Sequence, residues 1–369
     1  MNKKIDTHKI RRIVVKIGSG LLIKDSELNC SLLRSLADQI TVLKKEGLDV
    51  LLVSSGAVGC GAKILQKNRN KMTLPQTQAA AAVGQSRLMH AYDDVFRKKD
   101  LVTAQVLLTR EDLQDRLRYI NASNTLNALL KEGVVPVINE NDTVAVEELT
   151  FGDNDTLGAL VSNLVHADLL VILSEVDGLW NYDTNTLVKR VETIDKDILS
   201  LVSSQSSKWG KGGMTSKLQA ADMICQSGEM MIIANGHEKN ILTRIMDGED
   251  LGTLFYRSPG KMSAKKKWIA FAGRHRGTLM VDEGAKEALL KNRRSLLPSG
   301  LKAIQGDFKV GDLVEVVSRE GVLAKGLVNY TSEDLEKIKG LSTSKIAGIL
   351  GHKNYDEVIS RDNLVVLEG

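Results

Sequence analysis

"VVKIGSG", residues 14–20, is a run of β-branched residues that contains a lysine and ends in two glycines with one serine between them. Such a run predicts a strand, and the glycines predict a close turn after it, with room for a ligand beside the backbone. The stretch matches neither G-x-G-x-x-G nor G-x-x-x-x-G-K-[ST], so it is neither of the standard nucleotide-binding loops. Val14, Val15 and Ile17 are residues that a covered strand would bury, and a lysine among them needs an anion as its partner. The alternative for Lys16 is a solvated charge at the strand end.

Similar apolar runs recur through the first 256 residues and alternate with longer amphipathic stretches. We predict strands in RRIVVKIG, LDVLLVSS, LVTAQVLLT, GVVPVIN, ADLLVILS and EMMIIAN. We predict helices in SLLRSLADQITVLKKEG, NASNTLNALLKEG and MTSKLQAADMICQSG. Strands that are apolar almost throughout are typical of strands buried on both faces. The alternation therefore predicts an α/β domain with an open, mainly parallel sheet that is sandwiched by helices.

The chain changes character after residue 256. The next segment is basic and contains proline and glycine, which is typical of a linker. Beyond it, short strands are predicted in GTLMVD, GDLVEVVS, VLAKGLVNY and NLVVL, with only two short helical stretches, EGAKEALLKN and SEDLEKIKG. We predict an α/β domain over residues 1–256, a basic linker over 257–275 and a small, mostly-β domain over 276–369.

The composition argues against several classes of protein. The net charge of +4 comes from one segment, since residues 257–276 hold seven basic residues and no acid, whereas residues 277–369 sum to −1. Aromatic residues make up only 4% of the chain, which is unfavourable for base stacking. The three cysteines are isolated, so neither a zinc site nor a disulfide framework is indicated. The N-terminus has no apolar leader and no apolar run reaches about 18 residues, so we expect a cytoplasmic protein without membrane contact.

Polar residues follow the predicted strands at the edge of the sheet where ligands bind. Lys16 follows the first strand, and Lys217 lies in the first turn of a predicted helix, where the helix dipole disfavours a cation. Two lysines that each need an anion suggest a polyphosphate. The glycine-rich loop before Lys217 could offer backbone N–H groups to phosphate, although such a loop can also simply turn the chain.

The loops NEND and GDND carry carboxylates and amides at the same edge. Asp142, Asp153 and Asp155 could accept hydrogen bonds from an ammonium group or hold lysines in place, and Asn139, Asn154 and Ser55 could donate to a carboxylate. The site thus favours a zwitterion on one side and a polyphosphate on the other. The alternative is that such loops cap helices and form turns, and Asp153 or Asn154 could cap the helix DTLGALVSNLV.

No histidine lies in these loops, and no H-R-D arrangement occurs. Phosphorylation of a hydroxyl usually needs a group that positions or accepts its proton. A carboxylate acceptor is already ionised at pH 7 and needs only positioning and charge neutralisation, which lysines can provide.

Eight blocks of sequence run in order through the first domain: VVKIGSG, VSSGAVGCG, AAVGQSRLM, LLTREDLQDRLRYINASNTL, VPVINENDTV, FGDNDTLGALVS, GKGGMTSKLQAA and GTLF. Together they closely resemble the bacterial glutamate 5-kinases. VDEGAKEALL, SLLPSGL and GDLVEV resemble the PUA domain that many members of that family carry. The resemblance covers nearly the whole chain, and its long blocks are far more specific than a single glycine motif.

The resemblance implies an amino acid kinase fold and a defined reaction. Members of the family transfer the γ-phosphate of ATP, which Mg²⁺ accompanies, to the γ-carboxylate of L-glutamate. The product, L-glutamyl 5-phosphate, enters proline biosynthesis, and proline is the usual feedback inhibitor. We also expect a homo-oligomer, either a dimer or a tetramer, and we assign no metal ligands.

The resemblance also implies roles for individual residues. Lys16 and Lys217 match the lysines that stabilise the transferred phosphoryl group, and Asp155 matches the aspartate that holds them in position. Ser55, Asp142 and Asn154 match glutamate-binding positions, with Gly56, Asn139 and Asp153 close by. The nucleotide-binding positions are matched by Lys16, Ser174, Glu175, Lys211, Gly212, Gly213, Met214, Thr215, Ser216 and Lys217.

Two departures from the family pattern affect the nucleotide side. Ser174-Glu175 stands where the family often has Thr-Asp, and Lys211 stands where it often has Thr. The first could alter how adenine or ribose is held, and the second adds a charge beside the phosphates. Neither removes a catalytic group.

Two alternatives to this function stay open. One is another enzyme of the same fold, acting on N-acetylglutamate, aspartate or UMP. The other is RNA binding through the PUA-like domain, which the negative sum of residues 277–369 disfavours.

Overall fold

The computed structural model describes residues 6–24, 27–145, 154–203, 213–256 and 262–367. The chain divides into two compact units, which consist of Met1–Leu113 with Leu117–Lys261, and of Gln114–Arg116 with Met262–Gly369. The predicted linker begins at residues 257–261, which lie outside the described residues. Its described part is largely helical and belongs to the second unit. The boundaries predicted at residues 256 and 275 stay predictions.

Helices and strands alternate along the chain up to residue 256. The strands are β1 Arg12–Ile17, β2 Ile23–Lys24, β3 Glu27–Leu28, β4 Asp49–Val53, β5 Thr103–Leu108, β6 Val135–Glu140, β7 Leu169–Ser174, β8 Trp180–Asn181, β9 Thr186–Leu187, β10 Arg190–Val191, β11 Met230–Asn235 and β12 Thr253–Phe255. The helices are α1 Ser19–Leu22, α2 Cys30–Lys45, α3 Ala57–Ile64, α4 Leu74–Arg97, α5 Arg110–Gln114, α6 Arg116–Lys131, α7 Asn154–Val165, α8 Lys196–Ser203, α9 Met214–Gln226 and α10 Ile241–Met246.

The first unit is built on an eight-stranded sheet with the order β10-β12-β11-β7-β1-β4-β6-β5. The strands from β11 to β5 are parallel to their neighbours, and β12 pairs antiparallel with β11. The six strands predicted from apolar runs are all present, and they include the central strand β1. The expected open, mainly parallel sheet is therefore confirmed.

The two faces of β1 have different neighbours. Ile13, Val15 and Ile17 belong to a core that includes buried residues of α2, α4 and α10. Lys16 points to the opposite face, where a Cβ atom added to Gly158 of α7 would lie 3.4 Å from the Lys16 Cβ. Side chains alternate between the faces of a strand, so β1 sends Ile13, Val15 and Ile17 to this core, and Lys16 lies on the same face as the buried Val14, toward α7.

The second unit has its own sheet and core. Its strands are β13 Gly277–Val281, β14 Leu301–Gly306, β15 Leu313–Ser318, β16 Gly321–Leu327 and β17 Leu364–Val366, in the order β14-β13-β15-β16-β17. Its helices are α11 Ala264–Lys267, the π-helix Trp268–Ala272, α12 Glu283–Leu290, α13 Ser332–Ile338 and α14 Ile346–Leu350. The small, mostly-strand fold predicted for this part is confirmed.

The count of two helical stretches in this part was wrong, and β14 was not predicted. The helix α14 has only five residues, which is too short to show a helical period. The strand β14 lies at the edge of its sheet and buries only Leu301, so it lacks an apolar run.

Short 3-10 helices lie at Thr7–Lys9, Arg69–Lys71, Pro298–Gly300, Thr343–Lys345 and Arg361–Asn363. None of the helices in the described ranges combines the length and the apolar character that a bilayer crossing requires.

Candidate active site

Lys16, Asp155 and Lys217 form a buried cluster that we call the lysine clamp. The Lys16 Nζ lies 2.5 Å from the Asp155 Oδ1, and the Lys217 Nζ lies 3.0 Å from the Asp155 Oδ2. All three residues are buried, and Asp155 is 0% exposed. Two ammonium groups against one carboxylate leave the lysine clamp with one net positive charge.

Three elements of the first unit bring the lysine clamp together. Lys16 is the penultimate residue of β1, and Asp155 lies in the first turn of α7, where the helix dipole favours a carboxylate. Lys217 lies in the first turn of α9, where the dipole disfavours a cation. The contact with Asp155 offsets that unfavourable placement.

The pKa of the Asp155 carboxyl lies below its usual value. Burial by itself raises this pKa, but the charges and hydrogen bonds of Lys16 and Lys217 lower it by more. The Ser216 hydroxyl lies 3.0 Å from the Asp155 Oδ2 and 2.8 Å from the Gly213 carbonyl oxygen. Asp155 is therefore ionised at neutral pH and holds both lysines.

A second group of polar side chains, which we call the amide network, consists of Gln85, Asn139, Asn154 and Ser55. The Asn154 Nδ2 donates to the Asn139 Oδ1 at 2.8 Å and to the Ser55 Oγ at 3.0 Å. The Asn139 Nδ2 donates to the Gln85 Oε1 at 2.8 Å. Because Asn154 precedes Asp155 in α7, the amide network adjoins the lysine clamp.

Two buried residues of α4, Gln85 and Tyr92, were not predicted from the sequence. The Tyr92 hydroxyl lies 3.0 Å from the Ser54 Oγ, and burial raises the pKa of Tyr92, which keeps the phenol protonated. Gln85 shares one helix face with the buried Leu88 and Tyr92, at spacings of three and seven residues. That spacing predicts that Gln85 lies on the buried face of α4. It does not predict the contact of Gln85 with Asn139.

Asp142 lies in the turn after β6, close in sequence to Asn139. Burial raises the pKa of the Asp142 carboxyl to about 6, against the opposing charge of Arg69. The carboxylate is ionised at pH 7 but poorly solvated, which suits it to accept a hydrogen bond from an ammonium group.

The residues predicted for the nucleotide side lie at the end of β7 and at the start of α9. Ser174 is the last residue of β7 and is buried, and Glu175 is exposed. The Glu175 carboxylate lies so close to Gly20 that a Cβ atom added there would be 2.3 Å from its Oε2. The N-cap of α9 and the residues that follow it are Gly213, Met214, Thr215 and Ser216.

The remaining predicted residues are placed as follows. Gly56 is the N-cap of α3 and has a φ of +96°, a conformation that favours glycine. Asp153, Lys211 and Gly212 lie outside the described residues. In the part of the chain that the structure describes, hydrogen bonds join neither Ser174 nor Glu175 to the lysine clamp or to the amide network.

The arrangement combines two chemical functions at one edge of the sheet. A buried site with net positive charge can hold the oxygens of a phosphate and stabilise charge that develops on them. The adjoining amides and the carboxylate of Asp142 offer the donors and acceptors that a zwitterionic molecule needs. The geometry is that of a phosphotransferase whose acceptor is small and polar.

Two family models match the chain. The model of the amino acid kinase family matches residues 11–235, and the model of the PUA domain matches residues 277–350. A carbamate kinase from Giardia lamblia, solved with AMP-PNP, has a similar fold with a TM-score of 0.50 at 17% identity, over 68% of this chain and 99% of that chain. The chain belongs to the amino acid kinase family.

Curated relatives narrow the assignment within that family. The chain is 50% identical over 364 residues to the glutamate 5-kinase of Caldanaerobacter subterraneus subsp. tengcongensis, covering 97% of this chain and 98% of the relative. It is 45% identical over 374 residues to that of Syntrophus aciditrophicus, covering 99% and 97%. Within the amino acid kinases, the chain therefore belongs with the glutamate 5-kinases.

Proposed function

We propose that this protein transfers the γ-phosphate of ATP to the γ-carboxylate of L-glutamate and forms L-glutamyl 5-phosphate, the first step of proline biosynthesis. The observation that carries the proposal is the buried lysine clamp with one net positive charge beside the amide network. The identity with glutamate 5-kinases over nearly the whole chain supports glutamate as the acceptor.

In the proposed mechanism, a γ-carboxylate oxygen of glutamate attacks the γ-phosphorus of ATP. A bond forms between that oxygen and phosphorus, the bond from phosphorus to the bridging oxygen breaks, and ADP leaves with the electron pair. The acceptor is ionised at neutral pH, so no general base is needed. Lys16 and Lys217 stabilise the charge on the transferred phosphoryl group, and Asp155 keeps their ammonium groups in place.

The nucleotide would lie along the start of α9. Backbone N–H groups at the start of a helix suit phosphate oxygens, which supports roles for Gly213, Met214, Thr215 and Ser216 and, by sequence, for Lys211 and Gly212. Ser174 and Glu175 lie at the end of β7, where they could meet the ribose or adenine.

Glutamate would be recognised by complementary polar groups. Asp142 accepts from its ammonium group, and Ser55 donates to a carboxylate oxygen. Gly56, Asn139 and Asn154 complete the proposed acceptor pocket, and Asp153 is assigned to it by sequence.

Mg²⁺ is proposed to enter with the nucleotide, as MgATP. Among the described residues, there is no group of three side chains that could hold a metal ion. Asp155 has its oxygens engaged by lysines and by Ser216. The described residues therefore do not build a protein cage for the ion, which fits an ion that is carried by the phosphates of the nucleotide.

Further parts of the proposal rest on the family alone. We propose proline as a feedback inhibitor, a homo-oligomer as the working form and the cytoplasm as its location. The PUA domain is assigned a supporting or regulatory role rather than RNA binding, because residues 277–369 sum to a net charge of −1.

An acceptor screen tests the proposed reaction. Purified protein is incubated with MgATP and, separately, with glutamate, aspartate, N-acetylglutamate and UMP, with and without proline. ADP release is measured for all four, and trapping with hydroxylamine detects an acyl phosphate. We expect ADP release and hydroxamate formation with glutamate and with none of the other three acceptors. The absence of ADP release with glutamate would overturn the proposal. Proline should lower the rate with glutamate.

A further inference from the structure

We infer that Gln85 is a positioning residue that fixes the orientation of the amide network and thereby selects an acceptor with an ammonium group. The inference rests on the proposed function, since it concerns how glutamate is recognised. Gln85 lies on α4, outside every loop that sequence reasoning assigned to the site.

The hydrogen bonds of Asn139 leave its amide one orientation. Its Nδ2 donates to the Gln85 Oε1 at 2.8 Å, and its Oδ1 accepts from the Glu140 backbone N–H at 2.9 Å and from the Asn154 Nδ2 at 2.8 Å. An amide turned by 180° would place oxygen against the Gln85 oxygen and nitrogen against two donors. Gln85 therefore holds the Asn139 Nδ2, whereas the backbone N–H of Glu140 holds the Asn139 Oδ1.

The Asn139 Oδ1 and the Ser54 carbonyl oxygen together set the orientation of Asn154. The Asn154 Nδ2 carries two hydrogens and is surrounded by the Asn139 Oδ1, the Ser55 Oγ and the Ser54 carbonyl oxygen. Its donor capacity is used up inside the protein. The Asn154 Oδ1 has no hydrogen-bond partner among the described residues. We infer that this oxygen accepts a hydrogen bond from the glutamate in the proposed pocket.

An amide oxygen at this place distinguishes amino acids from simple dicarboxylates. It can accept a hydrogen bond from an ammonium group, as the Asp142 carboxylate can. A carboxylate or a methylene group has no hydrogen-bond donor to offer this oxygen. Glutarate is glutamate without its amino group, so the comparison measures the contacts to the ammonium group, that of Asp142 included, and the Gln85 variants show how much depends on the amide network.

The environment of Gln85 differs from that of an ordinary buried glutamine. Gln39 of α2 pairs both ends of its amide, since its Oε1 accepts from the Leu242 N–H and its Nε2 donates to the Ser35 carbonyl oxygen. In the described part of the chain, Gln85 pairs only its oxygen, and its buried Nε2 has no partner. Buried amides are normally satisfied at both ends, so Gln85 is better explained by the site than by packing.

The test compares glutamate with glutarate at saturating MgATP, with ADP release as the signal. In Gln85→Leu, the ratio of kcat/KM for glutamate to kcat/KM for glutarate should fall at least about tenfold, as expected when a charge-assisted hydrogen bond is lost. The KM for MgATP should stay unchanged. Gln85→Glu keeps an oxygen that accepts from Asn139, so it should retain the wild-type ratio.

Gln39→Leu is the matched control, because it removes an equally buried glutamine away from the site. It should lower thermal stability and leave the ratio unchanged. A wild-type ratio in folded Gln85→Leu, or an equal loss in Gln39→Leu, overturns the inference while the proposed reaction stands. Gln85→Met replaces the leucine variant if the latter does not fold. If the wild-type protein releases no ADP with glutamate, the proposed function and the inference both fail.

Discussion

Asp155 is one negative charge between two positive ones, and this excess of positive charge makes the lysine clamp a site for an anion. A single ion pair carries no net charge, whereas Lys16, Asp155 and Lys217 together carry one positive charge, which favours phosphate oxygens. The need of Lys16 for an anion could be predicted from its apolar neighbours. That Asp155 contacts both lysines came from the family resemblance, since spacing in the sequence does not place residues from β1, α7 and α9 together.

Replacing either lysine should remove catalysis and leave the fold intact. Lys16→Ala and Lys217→Ala should each lower kcat by about 10²-fold or more, because each removes a charge that stabilises the transferred phosphoryl group. Steady-state kinetics with glutamate and MgATP measure the effect. Lys99→Ala is the control, since Lys99 pairs with Asp38 at the surface and should leave kcat unchanged. Near-normal turnover in Lys16→Ala or Lys217→Ala would remove that lysine from the catalytic set.

Replacing Asp155 should affect stability in a way that replacing one lysine does not. A single lysine variant keeps one contact between an ammonium group and Asp155, whereas Asp155→Asn removes the carboxylate that contacts both buried ammonium groups. We expect Asp155→Asn to lower the free energy of unfolding by about 3–5 kcal/mol, and each lysine variant to lower it by much less. Urea denaturation at pH 7 measures both. Equal losses in all three variants would contradict this account of the clamp.

The pH dependence should report the ionisation of Asp142. Its raised pKa of about 6 means that the carboxyl becomes neutral below that pH and no longer accepts from the ammonium group. The kcat/KM for glutamate should therefore fall as the pH drops through about 6. Asp142→Asn should have a higher KM for glutamate and lack this decline, whereas an unchanged decline in the variant would assign the titration to another group.

The raised pKa of Asp142 also predicts how the free energy of unfolding changes with pH. The folded-state pKa lies above the unfolded value, so Asp142 favours folding at low pH and loses that contribution as the pH rises through about 6. Asp142→Asn should accordingly be more stable than the wild type at pH 7, and this gain should vanish below about pH 4.

At the scale of elements, the helices α3 and α4 are joined by close backbone contact. A Cβ atom added to Gly84 would lie 1.8 Å from the Ala57 carbonyl oxygen, and one added to Gly61 would lie 1.7 Å from that of Ala80. Gly84 precedes Gln85, so this contact also sets the position of the first member of the amide network. The helix crossing and the substrate pocket thus depend on the same glycine.

Gly84→Ala should weaken both the fold and the binding of glutamate. The added methyl group must push α4 away from α3, which we expect to lower the free energy of unfolding by at least about 1–3 kcal/mol and to raise the KM for glutamate. Gly59→Ala on α3 is the control, because its Cβ would meet only Ile23 at 3.6 Å, an ordinary contact. Urea denaturation and kinetics test both variants, and equal tolerance at the two positions would refute the close contact.

The elements also show where sequence reasoning reached its limit. β1, β4, β6 and β7 could be predicted because strands buried on both faces are continuous apolar runs. Edge strand β14 and the five-residue α14 have no such signal. Gln85 could be placed on a buried helix face by its spacing, but its contact with Asn139 joins residues far apart in the chain, and periodicity carries no information about such contacts.

At the scale of the whole molecule, the two units have separate hydrophobic cores. One core is centred on β1, β4 and β7, and the other on β13, β15, α12 and α13. Every described residue assigned to the lysine clamp and to the amide network belongs to the first unit. Sequence composition predicted this division through the change to short, glycine-spaced strands, although it could not fix the boundaries.

Two cores predict two calorimetric transitions in this protein. MgATP should raise only the transition temperature of the kinase unit. At a hundredfold excess over its Kd, the nucleotide should increase the free energy of unfolding of that unit by about 2.7 kcal/mol. Differential scanning calorimetry with and without MgATP measures both transition temperatures. ADP, added without glutamate, serves as a second nucleotide ligand. A single transition, or an equal rise in both, would mean that the units unfold together.

The lysine clamp also has a consequence for protein synthesis. Lys16 is made early and Lys217 late, and at about 5–20 residues per second the ribosome needs on the order of 10–40 seconds between them. Asp155 is made between them, and until Lys217 follows, Lys16 is the one lysine of the clamp that Asp155 can contact, which gives a pair without net charge. The excess positive charge of the lysine clamp therefore arises only when α9 is in place, which makes it one of the last features of the site to form.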